Sequence, residues 1–217
     1  PSVTLVALAF RDRPELLREL RAAEGPATID RAAELLADWT GQPYTQVRQR
    51  ALATIARFLR EKFEYDHDFK AGVLPSQRAI KFVIERDLAL GVWCLCQVAR
   101  KVLKLTTEPE SKFSVEAAEA WVRTGEITAK LPGYIKAAQT STPLNNRMSS
   151  RQVSAAFVKD ASNWACASAA KSIGDRNFAS DCVEYAYDAK RYKSEETHDR
   201  WVVDAILDAI ITFPSRI

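Results

Sequence analysis

The stretch Ser150–Lys190, S-R-Q-V-S-A-A-F-V-K-D-A-S-N-W-A-C-A-S-A-A-K-S-I-G-D-R-N-F-A-S-D-C-V-E-Y-A-Y-D-A-K, decides the fold of this chain. Nothing in it breaks a helix before Gly174, and Asp175, the next residue, suits the cap of a second helix. Two helices joined by so short a connection run antiparallel. Ala155, Ala161, Ala165, Ala169, Ala179, Ala186 and Ala189 allow close backbone approach. Phe157, Trp164, Phe178 and Tyr185 are expected to fill the gaps between layers, with Trp164 as a core anchor. The composition is that of a central hairpin contacted on more than one side, and it carries no chemistry of its own.

Working outward, a chain of 217 residues is long enough for one sizeable core. Its 47% apolar and 27% charged residues are ordinary for a globular protein. Seven glycines in the whole chain argue against an all-β fold built on tight turns. The expectation is therefore all-α: a single domain, 1–217, of eight or nine helices around the hairpin. Residues 1–75 supply N-terminal helices of unassigned role and 76–217 supply the core. The opening P-S-V-T-L-V-A-L-A-F has no basic leader and is too short to span a membrane, which points to a cytoplasmic protein with no membrane partner.

The remaining helices follow from apolar spacing and from caps. Val3–Phe10 is read as helix in a helical context. Pro14 opens a helix through Glu24. Thr28 caps one through Trp39, with Gly41 after it. Pro43 opens a longer one to Phe63, with Val47, Ala51, Ile55, Phe58 and Leu59 inside and Arg48, Arg50, Arg57, Arg60 and Lys62 outside. Ser76 is expected to cap one long helix over Gln77–Leu105. Ser114 is expected to cap a helix that stops at Thr124-Gly125. A brief helix starts near Pro132, and Ser194 is expected to cap the last helix, ending at Phe213.

Candidate chemistry is sparse. The loop E-Y-D-H-D-F-K-A-G-V-L-P, Glu64–Pro75, places His67 between Asp66 and Asp68, residue types that ligate metals. Adjacent loop residues rarely converge on one ion, so no metal is expected there. Cys94 and Cys96, two apart on a helix, point some 200° apart and cannot share an ion. All four cysteines, Cys94, Cys96, Cys166 and Cys182, read as reduced, buried hydrophobes. His198 lies beside Asp199 at the start of the last helix, both facing solvent. No nucleophile motif, zinc spacing or phosphate loop occurs, so no catalytic residue and no cofactor is expected.

C-Q-V-A-R-K-V-L from Cys96, an acidic Pro-containing spacer, and then E-A-A-E-A-W-V-R-T-G-E-I-T to Thr128 resemble the alanine-rich, all-helical immunity proteins of bacterial polymorphic-toxin systems. The matching positions are Ala117, Ala118, Ala120, Trp121, Arg123, Gly125, Glu126 and Thr128, and the resemblance extends over about residues 94–190. Thr124 is an extra residue in the pattern, and Lys112-Phe113-Ser114 stands where the family has Arg-Pro. The resemblance implies a helical fold and a toxin as the partner.

The functional expectation is a non-enzymatic protein-binding protein, an immunity protein that neutralises a toxin. Loops on a rigid scaffold are where binding residues concentrate, which singles out Tyr65, Asp66, His67, Asp68 and Phe69 in one loop and Asn145, Asn146 and Arg147 in another. The alternative partner is nucleic acid, met by the basic helix 44–63, although a net charge of +3 gives it little drive.

Overall fold

The computed structural model describes residues 3–23, 28–63, 74–140, 148–194 and 199–215, and all regular structure among them is helical. Among the described residues there are eleven helices, where eight or nine were expected: α1 (Val3–Ala9), α2 (Pro14–Ala22), α3 (Ile29–Thr40), α4 (Tyr44–Phe63), α5 (Pro75–Ile84), α6 (Leu88–Leu103), α7 (Pro109–Thr124), α8 (Leu131–Ala138), α9 (Ser150–Lys171), α10 (Phe178–Ser194) and α11 (Arg200–Ile211).

The expected long helix over Gln77–Leu105 is two helices. Glu85–Asp87 form a turn, and the Asp87 side chain accepts from the Leu90 N–H to restart the chain as α6. A cap outcompetes helix continuation because it satisfies an amide that a helix start leaves open. Gly91 then sits against the last turn of α5. A Cβ there would lie 2.5 Å from the Ile84 Cβ, so only glycine lets the two helices touch.

Three other starts differ from the sequence reading. Leu74 and Pro75 begin α5, and Ser76 lies inside it, fully buried, its N–H donating to Asp199 Oδ2 at 2.9 Å. Pro109 begins α7, so Ser114 is an interior residue that donates to the Ser111 carbonyl. Proline in the first helical turn loses nothing, since that amide has no intrahelical partner. Ser194 ends α10, and the last helix is entered at Asp199. The starts at Thr28 and Ser149 carry side-chain caps, the latter a reciprocal pair with Gln152.

Helix α6 is buried almost all round, Leu90 through Cys96 without interruption. Such a helix must be covered on every side, and α5, α7, α9, α10 and α11 pack against it. Helix α9 packs against α6, α7, α8 and α10. Helix α11 bridges α6 to α4, and α4 holds α1 and α3. One continuous apolar cluster runs from Leu5 to Phe213, so the N-terminal helices share the core of the rest.

Buried polar groups tie the layers. Arg48, expected outside, is 8% exposed. Its Nε donates to Asp30 Oδ1 (2.6 Å), its Nη1 to the Phe213 carbonyl (2.8 Å), and its guanidinium lies 5.5 Å from the Phe213 ring. Asp199, expected in solvent, is engaged by Ser76 as described. Glu119 is 5% exposed and takes both arms of Arg100 (2.6 and 2.7 Å) together with Gln97. Asn163 Oδ1 accepts from Thr106 and Ser111, pinning α9 to the start of α7.

The large residues of the hairpin stretch fill fewer gaps than expected. Trp164 is half-buried, edge-on to Tyr185 at 5.1 Å, with its indole N–H donating to the Gln139 carbonyl. The buried tryptophan is Trp93, 8% exposed and bonded to the Ala209 carbonyl. Phe157 is exposed, because the first turns of α9 extend beyond the buried part of the helix. Among the described residues no helix is long and apolar enough to cross a membrane.

Candidate functional site

Tyr65, Asp66, His67, Asp68 and Phe69, and likewise Asn145, Asn146 and Arg147, lie outside the described residues, as does His198. The chemistry that the described residues assemble lies elsewhere, in three places.

The first is a cleft of about 520 Å³. The first turn of α3 supplies Thr28, Ile29, Asp30 and Arg31, with Glu34 one turn on. The α5–α6 turn supplies Glu85, Arg86 and Asp87, followed by Leu88 and Ala89 of α6. Trp121 of α7, Arg176 from the α9–α10 turn and Phe213 complete the wall. Most of its charges are matched locally. Arg31 pairs with Glu34 at 3.2 Å, Arg86 lies 3.8 Å from Glu85, and Arg48 holds Asp30 from behind. Arg176 donates to the Glu85 carbonyl. Tyr44 bonds Asp30 as well, and burial, reinforced by the Asp30 charge, pushes its phenol up. These residues come from segments up to 185 positions apart, which no local pattern brings together.

The second place is the exposed aromatic pair at the beginning of α9 and the end of α10. Phe157, 46% exposed, stacks on Tyr192, 55% exposed, with centroids 5.9 Å apart. A similar pair, Phe113 and Tyr134, joins α7 to α8 at 5.4 Å. Helical spacing alone did not mark these rings as surface residues, because the same spacing describes a core stripe.

The third place is the basic helix α4. Arg50, Arg57, Arg60 and Lys62 are exposed, as expected. The fold adds an aromatic cluster that sequence reading missed: Phe82 of α5 lies 5.9 Å from Phe58 and 6.1 Å from Phe63. Cations occupy the Phe82 ring, with Lys62 at 4.7 Å and Arg86 at 3.7 Å from its centroid. A ring so engaged offers little free face for a stacking base.

The thiols are placed as expected. All four are buried and free. Cys94 faces the Ile206 carbonyl and Cys96 the Val115 carbonyl, in keeping with side chains that diverge around α6. Burial pushes every thiol up, Cys166 to about 12 and Cys96 and Cys182 well above the usual value. Protonated buried thiols are poor nucleophiles and poor ligands. Among the described residues, no group of three or more histidine, cysteine or acidic side chains is placed to hold a metal ion.

Of the residues in the family-like pattern, Ala118 is buried, Trp121 lines the cleft, Arg123 lies 5.6 Å from the Trp93 ring and Gly125 ends α7. Gly125 has φ +77°, a left-handed conformation that glycine adopts without strain. No protein-family model, curated protein or solved structure matches the chain.

Proposed function

We propose that this is a non-enzymatic protein-binding protein of the cytoplasm, organised around its α9–α10 hairpin, that acts by occluding a partner. The observation that carries the reading is the stacked, exposed Phe157–Tyr192 pair. Rigid aromatic side chains supply contact area with little rotamer entropy left to lose, and such rings are enriched among residues that dominate binding energy. The pattern around Trp121 resembles toxin-neutralising immunity proteins, which makes a toxin the partner of choice. The loop residues Tyr65 to Phe69 and Asn145 to Arg147 belong to the same proposal as flanking contacts.

The test is co-expression with the product of the adjacent reading frame. Wild type is expected to relieve that product's toxicity and to co-purify with it. Phe157→Ala with Tyr192→Ala is expected to abolish both while leaving the helical circular dichroism intact. Full protection by the double variant would overturn the reading.

A second reading, nucleic-acid binding through α4, is supported by its four exposed basic residues. Phosphate binding weakens steeply as salt rises. Partner binding whose affinity falls little between low and moderate salt excludes that reading.

A further inference from the structure

The α9–α10 hairpin carries a ladder of ring contacts along its length. Phe157 stacks on Tyr192 at 5.9 Å, Trp164 meets Tyr185 edge-on at 5.1 Å, and the Lys171 ammonium lies 4.6 Å from the Phe178 ring centroid. Each rung is seven residues from the next on both helices, about 20° short of two full turns, so the rungs share one face. Every residue in them is exposed or half-buried, whereas the buried sides of both helices pack on α6. We propose that this outer seam docks a basic amphipathic helix of a partner protein, its apolar side chains set between the rungs and its lysines or arginines over the flanking carboxylates. This rests on the protein-binding reading and gives the partner's contact segment a form and a charge.

Form follows from the spacing. Successive rungs lie about 10.5 Å apart, seven steps of about 1.5 Å. That is also the i to i+7 repeat of a helix, so a helix laid along the seam meets each gap with the same face. A strand repeats its face every 6.6 Å or so and falls out of step. The indole N–H of Trp164 is taken by the Gln139 carbonyl, so the middle rung offers ring surface rather than a polar handle.

Charge follows from the neighbours of the rungs. Side chains three or four apart on a helix are adjacent. Asp160 flanks Phe157 and Trp164 on α9, and Asp181 and Asp188 flank Tyr185 on α10, with Glu184 exposed between them. The cations among the rungs and their flanks are Lys171, held on the Phe178 ring, and Arg191, which acts on Asp188. Arg151 and Lys193 lie past the last rung, at the open end of the hairpin. The middle of the seam is therefore acidic. Burial, and after it the charges of Asp181, Glu184 and Asp188, hold the Tyr185 phenol above its ordinary value. Burial also raises the Asp188 carboxyl in spite of Arg191. An uncharged partner would desolvate these carboxylates further without compensation, and a cationic one supplies the compensation.

A second copy of the chain fits worse. The two-fold axis that interleaves the first two rungs falls midway between them, beside Asp160 and Asp188. Each of those carboxylates would then face its own counterpart.

The experiment uses the full chain and two idealised helical peptides of about three heptads, one with leucine on one face and lysine on the other, its twin with glutamate in place of lysine. Fluorescence anisotropy of the labelled peptide reads affinity, and backbone amide NMR shifts read where it docks. The leucine–lysine peptide is expected to bind along α9 and α10, more weakly as salt rises, and its twin is expected not to bind. Asp181→Asn with Glu184→Gln is expected to weaken binding about tenfold, the loss of two rim charges. Phe157→Ala with Tyr192→Ala is expected to weaken it as well, and both variants are expected to keep the helical circular dichroism. Co-expression with the product of the adjacent reading frame separates this inference from the reading beneath it. Protection lost with the aromatic variant but kept with the carboxylate variant overturns the basic partner and leaves the binding surface standing. Protection kept with both overturns the surface itself. No binding of the leucine–lysine peptide, equal binding of its twin, shifts outside the hairpin, or self-association of the chain through Phe157 and Tyr192 would each overturn the proposal.

Discussion

At the scale of single residues, the buried charge of Glu119 has the most to lose. Its carboxylate accepts from Arg100 twice and from Gln97, and that bonding to Glu119 is the main reason the Arg100 guanidinium is held above its usual value. Replacing Glu119 by Ala strands a guanidinium at a packed interface. Because Arg100 is partly exposed, the expected loss is about 2–3 kcal/mol, below the 3–5 of a fully buried pair. Urea denaturation measures it, and an unchanged midpoint would mean that water replaces the carboxylate at no cost. Trp93 and Trp164 make a second comparison. Trp93→Ala is expected to cost about 3–5 kcal/mol and Trp164→Ala clearly less, since only the former is buried. Equal shifts in Tm would contradict the burial difference.

The thiols give a pH dependence. In the unfolded chain a cysteine ionises near pH 8.5, whereas burial holds the folded thiols protonated, Cys166 up to about 12. A raised folded value means that the stabilisation is complete below about pH 8.5 and declines as pH climbs toward the folded values. The unfolding free energy is therefore expected to drop between about pH 8.5 and 12. Replacing Cys166 and Cys182 together by Ala is expected to flatten that decline. Thiol titration of the native protein at neutral pH should be slow, and rapid modification would show that the cysteines are accessible.

At the scale of elements, the α5–α6 junction is the place where helix propensity and packing conflict. Gly91→Ala improves the intrinsic helix preference of α6 by about 1 kcal/mol. Against that stands a Cβ placed 2.5 Å from Ile84, with Ile84 backbone equally close. Overpacking of this kind costs about 1–3 kcal/mol, and backbone cannot rotate away as a side chain can. Net destabilisation is expected, read as a lower Tm. Stabilisation would show that the two helices separate freely.

For the whole molecule, the Arg48 clasp links chain positions far apart: α3, α4 and the segment after α11 meet at one guanidinium. Truncation after Thr212 removes the Phe213 ring and the carbonyl that Arg48 engages, leaving a buried cation with fewer acceptors. A loss of about 3–5 kcal/mol is expected, comparable to deleting a buried aromatic. A truncated chain with the Tm of the intact one would show that the clasp is dispensable.

What the amino-acid order determined by itself is the helical class and many of the boundaries. Thr28 and Gly125 act through amides and dihedral angles within a few residues, so their effect is local and readable. The burial of the four thiols was legible for a similar reason, since cysteine in an apolar helical stripe has one common fate. The tertiary structure alone decided which residues of each stripe meet solvent. Phe157 and Trp164 share a spacing with core residues, yet exposure depends on whether another helix reaches that turn. It also decided that Arg48 turns inward, because the acceptors at Asp30 and Phe213 that make burial tolerable come from remote segments. The cleft has the same origin: its charges and its tryptophan are brought together by packing around α6, and nothing within one helix encodes that meeting.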